Sequence, residues 1–156
     1  MDAYGPLPTG VEVRTLRRHE DARGHLLELF RDDELPDGFR PAMAYLSVTL
    51  PGISRGPHEH RDQTDGFAFV DGEYELRLWE NRPHHPPAEA TILVGEANPV
   101  FVLVPPGVVH GYRNVGDRPA FVVNAPDRLY AGEGKRGPVD EIRHESDAGS
   151  RFRMEP

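Results

Sequence analysis

The chain has 156 residues and a mass of 17.5 kDa, the size of one domain able to bury a core of its own. Its formal net charge is -8, with 26 acidic against 18 basic side chains, which argues against nucleic acid as a partner. No cysteine is present, so disulfides and thiolate-held metals are excluded; MDAYGPLPTG has no basic segment followed by an apolar core and no apolar run reaches a membrane span, so a cytoplasmic protein without a membrane partner is expected. Sixteen glycines and sixteen prolines favour short strands joined by turns.

In chain order, alternation at Val11 and Val13, a turn at Asp21–Gly24 and the run Leu26–Phe30 predict a hairpin over about 11–30. A strand follows at Tyr45–Leu50, stopped by Pro51 and Gly52. Phe67–Val70, a turn at Asp71-Gly72 and Tyr74–Trp79 read as a second hairpin. Arg82–Glu89, with three prolines and the pair His84-His85, reads as a solvated loop. Val100–Val104 is apolar throughout, predicting a strand covered on both faces, and Ala120–Asn124 is the last strong strand. The barrel core is thus placed at about 42–125. A polar tail follows over about 126–156, where Val139–His144 forms a short helix or packs irregularly. No helical period runs through the chain, so the fold class is all-β in a single domain.

The chemistry-bearing residues are grouped. His58 and His60, two apart, point to one face of a strand. Asp65 and His110 join them from other strands. Three imidazoles and a carboxylate are a donor set for one divalent transition metal. The same residues also suit proton transfer, because an unperturbed imidazole titrates near ~6.5. His58 cannot be ligand and base in one state. Among the rest, Trp79, Phe67 and Phe69 read as core, Arg77 as outward, Asp32-Asp33-Glu34 as a solvated turn, and Tyr112 as packing across the sheet. Basic charge is nearly all arginine, with Lys135 the single lysine, and the arginine fork suits phosphate or carboxylate.

The spacings G52-x5-H58-x-H60-x4-D65-x6-G72 and P105-x-G107-x2-H110-x3-N114 resemble the double motif of the cupins, which implies a jelly-roll β-barrel. Asp21-x-Arg23-Gly24-x3-Glu28, Gly52–His58 and Val104–Tyr112, with Tyr130, Glu133 and Gly137, resemble dTDP-4-dehydrorhamnose 3,5-epimerases from about Val11 to about His144. The resemblance implies a homodimer acting without a cofactor on a nucleotide-linked 4-keto-6-deoxy sugar. It implies His58 as catalytic base and His110 as the histidine after the Pro-x-Gly turn. Arg55 and Arg23 become anion ligands, with a reach across the dimer open to Arg23, and Tyr130 lies near the nucleotide. Asp140 is assigned as the acid partnering the base.

Two family residues are absent at their aligned positions. The catalytic tyrosine would fall at Val123 and the strand lysine near Ala68. A competent 3,5-double epimerase is therefore not expected. His58-Glu59-His60-Arg61 is also similar to the His-x-His motif of nucleotide-sugar 3,4-ketoisomerases, with His60 or His110 as shuttle or polariser. Single-carbon epimerisation or ketone isomerisation is the leading expectation. The alternatives are a metal cupin ligated by His58, His60, Asp65 and His110, and a catalytically weak sugar-nucleotide-binding cupin.

Overall fold

The computed structural model describes residues 4–155. Its strands are β1 (Glu12–Thr15), β2 (Arg18–Asp21), β3 (Gly24–Leu27), β4 (Tyr45–Thr49), β5 (Ser54–Glu59), β6 (Asp65–Phe69), β7 (Glu73–Glu80), β8 (Glu89–Gly95), β9 (Val100–Val104), β10 (Val108–Asn114), β11 (Ala120–Asn124) and β12 (Ile142–Arg143). Helical structure is limited to single 3-10 turns at Asp32–Glu34, Glu133–Lys135 and His144–Ser146. Two five-stranded antiparallel sheets carry the fold. The first runs β1-β9-β6-β11-β4 and the second β12-β5-β10-β7-β8, while β2 and β3 form a separate ribbon. This is the all-β jelly-roll class expected from the motif spacing. Among the described residues no helix is long and apolar enough to cross a membrane.

The alternation of side chains along each strand sorts the core. Val100, Val102 and Val104 point between the sheets with Phe67, Phe69 and Leu76. Phe101 and Leu103 point outward, under Leu35 and Phe39. Both faces of β9 are therefore covered, as its unbroken apolar run requires. The tail covers the outside of the second sheet, where Phe152 and Met154 pack on Trp79 and Val109. Burying each of those two side chains contributes about 1.5–3 kcal/mol, which anchors the tail on the barrel. Gly111 permits this contact, since a Cβ there would lie 2.6 Å from the Met154 sulfur.

Both predicted hairpins need correction. Val11 and Val13 do not pair with Leu26–Phe30: β1 joins β9, and only Arg18–Asp21 and Gly24–Leu27 form the ribbon. Asp71-Gly72 does turn the chain, but β6 and β7 lie in opposite sheets, because both edges of β6 are taken by β9 and β11. The strand β8 was not foreseen, though Ala90, Ile92 and Val94 alternate inward as a half-buried strand should. In the tail, β12 adds an edge to β5 in place of a helix. Trp79, Phe67 and Phe69 are core, and Arg77 lies outside the barrel over the Trp79 ring.

Candidate active site

The site is built where the two sheets face each other. In β5 and β10, His58 and His110 stand opposite one another, with ring centroids 4.6 Å apart. Gly56 makes that pairing possible. Its φ is +83°, and a Cβ there would come within 2.6 Å of the His110 carbonyl oxygen. His60 follows directly after β5, and Asp65 opens β6 on the facing sheet. His60 Nε2 donates to Asp65 Oδ2 at 2.9 Å. His110 Nε2 lies 3.1 Å from the same oxygen but off the line of a good hydrogen bond. Asp65 Oδ1 accepts from Gln63 at 2.8 Å and Asn124 at 3.0 Å.

The three imidazoles are not equivalent. His60 Nδ1 donates to the Asp140 carbonyl, and His110 Nδ1 faces the Val108 carbonyl at 3.0 Å. His58 makes no hydrogen bond among the described residues. The nearest acid to it is Glu141, 3.8 Å from Nδ1. Burial, then the neighbouring His110 and His60, pushes His58 down to about 2, so it is neutral at physiological pH. Burial also opposes charge on His60, but the Asp65 hydrogen bond and charge and the Asp140 contacts outweigh it and lift His60 to about 9. Burial would raise Asp65; the adjoining His110 and His60 rings instead hold it well below the usual carboxylate range. A neutral imidazole thus stands beside a cationic one whose protons are both committed.

These groups open into a cavity of about 680 Å³, within the range of small-molecule sites. Arg55 lines it, fixed by hydrogen bonds to the Val48 carbonyl and Thr49 at 2.7 and 2.9 Å. Tyr130 is at the mouth. Arg23 is not in this cavity. It sits at the exposed tip of the β2–β3 ribbon, paired with Asp21. Asp140 lines the cavity, but its carboxylate is occupied by the backbone N–H groups of Arg61, Asp62 and Gln63 and does not face His58. Glu141, one residue on, holds the position beside His58.

Several lining residues escaped sequence reasoning. Arg128 and Lys135 join Arg55 at the cavity and have no acidic partner within ion-pair distance among the described residues. Glu141 was missed by one position in a tail with no periodic signal. Tyr45 was read only as the start of a strand. It pairs across the sheet with Asn124, whose amide donates to its hydroxyl at 2.9 Å. Burial raises this phenol to about 12, against the hydrogen bond from Asn124. A tyrosine is therefore close in space to Val123 although none is close in sequence. Val123 and Ala68 themselves face away from the cavity, in the outer cluster around Phe39.

His58, His60, Asp65 and His110 each offer one donor atom, all within 4.8 Å of one another. The donor types suit a divalent transition metal. The spread allows more than the roughly 3.3 Å between ligands bound tetrahedrally at 2.0–2.1 Å, so binding would require the side chains to close in and the His60–Asp65 hydrogen bond to break.

Residues 19–134 match the family model described as the polysaccharide biosynthesis C-terminal domain. The chain is 36% identical over 123 residues to "Probable low-salt glycan biosynthesis epimerase Agl13" of Haloferax volcanii, spanning 77% of this chain and 79% of that protein. It is 37% identical over 117 residues to spore coat polysaccharide biosynthesis protein SpsL of Bacillus subtilis, spanning 73% and 76%. Among solved structures, a dTDP sugar isomerase from Desulfovibrio desulfuricans G20 superposes with a TM-score of 0.78 at 26% identity. That match covers 90% of this chain and 87% of that one.

Proposed function

The chain belongs to the polysaccharide biosynthesis C-terminal domain family, and from that membership we propose that it is a sugar epimerase or isomerase acting on a nucleotide-linked 4-keto-6-deoxy sugar. Its reaction is proton transfer beside the ketone, without a metal. The observation that carries this reading is the state of His58: neutral, free of hydrogen bonds and facing the cavity beside a cationic His60.

His58 accepts the proton from the carbon next to the ketone, which leaves an enolate. His60 stabilises that charge through its field and not as a shuttle, since its ring protons are held by Asp65 and the Asp140 carbonyl. Glu141 faces the imidazolium that forms on His58. Arg55, Arg128 and Lys135 supply positive charge for the diphosphate, and Tyr130 offers a ring at the nucleotide end. The names of the relatives support the substrate class: one is called an epimerase of glycan biosynthesis and a solved neighbour a dTDP sugar isomerase. The test is solvent-deuterium incorporation into a dTDP-linked 4-keto-6-deoxy sugar, abolished in His58→Asn with melting unchanged. No exchange on dTDP-, GDP- or UDP-linked keto sugars would overturn the reading.

The same reading includes a homodimer. On the edge strand β4 the outward residues Leu46 and Val48, with Leu50 and Ile53 beyond it, are each more than half exposed and form an apolar stripe. A second copy on that stripe would cover it, and a partner's ribbon is the source for Arg23 near the diphosphate. Light scattering should give twice 17.5 kDa for the wild type, and Leu46→Glu should give the monomer.

A further inference from the structure

Tyr45 has a place in the site that the His58 chemistry alone does not use. We propose that Tyr45 is the general acid that protonates the substrate carbon from the wall opposite His58, so that the reaction inverts a stereocentre; this rests on the sugar-nucleotide reading above.

The placement follows from the sheets. His58 stands on β5 of the second sheet, and Tyr45 on β4 of the first. Both line the same cavity, so a sugar ring between them meets one group on each face. The hydrogen bonds set the direction of proton flow. Asn124 Oδ1 accepts from the Gly66 N–H at 3.1 Å, which fixes the amide orientation. Its Nδ2 then donates one hydrogen to Asp65 Oδ1 and the other to the Tyr45 hydroxyl oxygen. Tyr45 accepts in that contact and keeps its own O–H hydrogen for a partner in the cavity. After donation, the same amide N–H stabilises the phenolate.

Other tyrosines do not serve. Tyr112 is buried on β10, in the same sheet as His58, with its hydroxyl 3.1 Å from Ser47. Tyr74 donates to the Ala120 carbonyl within the core. Tyr130, exposed at the mouth as Tyr45 also partly is, has no hydrogen bond among the described residues that would orient its hydroxyl.

The protons balance. His58 breaks the C–H bond and becomes an imidazolium, leaving the electron pair in the enolate. A new C–H bond forms at the same carbon with the Tyr45 proton as the electron pair returns. The imidazolium then loses its proton to water and the phenolate takes one from water, which restores both groups.

The experiment compares the full-length wild type with Tyr45→Phe and His58→Asn on dTDP-4-keto-6-deoxyglucose in D₂O. NMR follows deuterium entry beside the ketone, and borohydride reduction followed by sugar analysis reports the epimer. Tyr45→Phe should keep His58-dependent exchange within about tenfold while the inverted product falls by roughly 10²–10⁴. Tyr45→Phe forming the epimer at the wild-type rate would overturn the proposal. So would loss of exchange together with inversion in a normally melting Tyr45→Phe, which would make Tyr45 a binding group. Absence of exchange in the wild type on every keto sugar tried would instead sink the functional reading beneath it.

Discussion

The floor of the cavity and its rim are made of different kinds of chain. His58, Asp65 and His110 lie on strands with a neighbour on each side, His60 lies one residue beyond, and the four are largely sealed from water. The rim is drawn from residues 128–145, a succession of turns that touches the barrel through the two-residue strand β12 and carries Arg128, Tyr130 and Lys135 exposed. Burial at the floor lets neighbouring groups of one chemical type take opposite charge states. Exposure at the rim leaves its charges screened by water and salt, placed to bind and too weakly coupled to the floor to tune it. Under the proposed function, the contrast separates where the bond would change from where the substrate would be held.

The sharpest test of that separation is His58→Asn. It should lower turnover by roughly 10²–10⁴, with substrate binding by calorimetry little changed. A comparable loss of binding would place His58 among the holding residues and collapse the distinction. Asp65→Asn follows. It leaves a buried histidine cation without its counter-charge, which should cost about 3–5 kcal/mol, or roughly 6–20 °C in melting temperature for a chain of this size. A loss below 1 kcal/mol would mean that Asp65 is not ionised.

The pH dependence of stability sharpens the comparison further. His58 in the folded state refuses, down to about pH 2, a proton that the unfolded chain accepts near 6.5. Its contribution is therefore present above 6.5 and lost as pH falls below it, by up to about 1.4 kcal/mol per pH unit. His60 has the opposite sign. Raised to about 9, it stabilises fully below 6.5 and loses that contribution as pH rises through 9. The floor alone gives a stability maximum near pH 6.5. Denaturant midpoints measured from pH 4 to 10 should show it, and His58→Asn should flatten the acid side only.

How far this was legible in the sequence divides along the same line. The His-x-His and Pro-x-Gly-x2-His spacings declared the floor, because strand periodicity fixes which side chains share a face. Pairing was harder: Asp71-Gly72 has the composition of a hairpin turn, yet only the vacancy of a strand edge decides whether the next strand can pair. Tyr45 was invisible as a site residue because its partner Asn124 is 79 residues away and meets it only through sheet register. Glu141, Arg128 and Lys135 were hidden for a different reason. Their segment has no period, and the contacts that hold it are distant in sequence: the Asp140 carboxylate on the backbone of Arg61, Asp62 and Gln63, and β12 on β5.

The smallest expected effect lies at the rim and is the one that most directly asks whether holding and reacting are separate. Arg128→Ala and Lys135→Ala each remove one cation that has no acidic partner within ion-pair distance among the described residues. An exposed contact of this kind to a diphosphate should be worth about 1.4 kcal/mol or less, up to tenfold in KM, with kcat unchanged. Raising the salt concentration should weaken binding in the wild type and less so in the double variant, because screening acts on charges already removed. If kcat fell while KM stayed put, the rim would be positioning the sugar against His58 and Tyr45, and the cavity would work as one unit from mouth to floor.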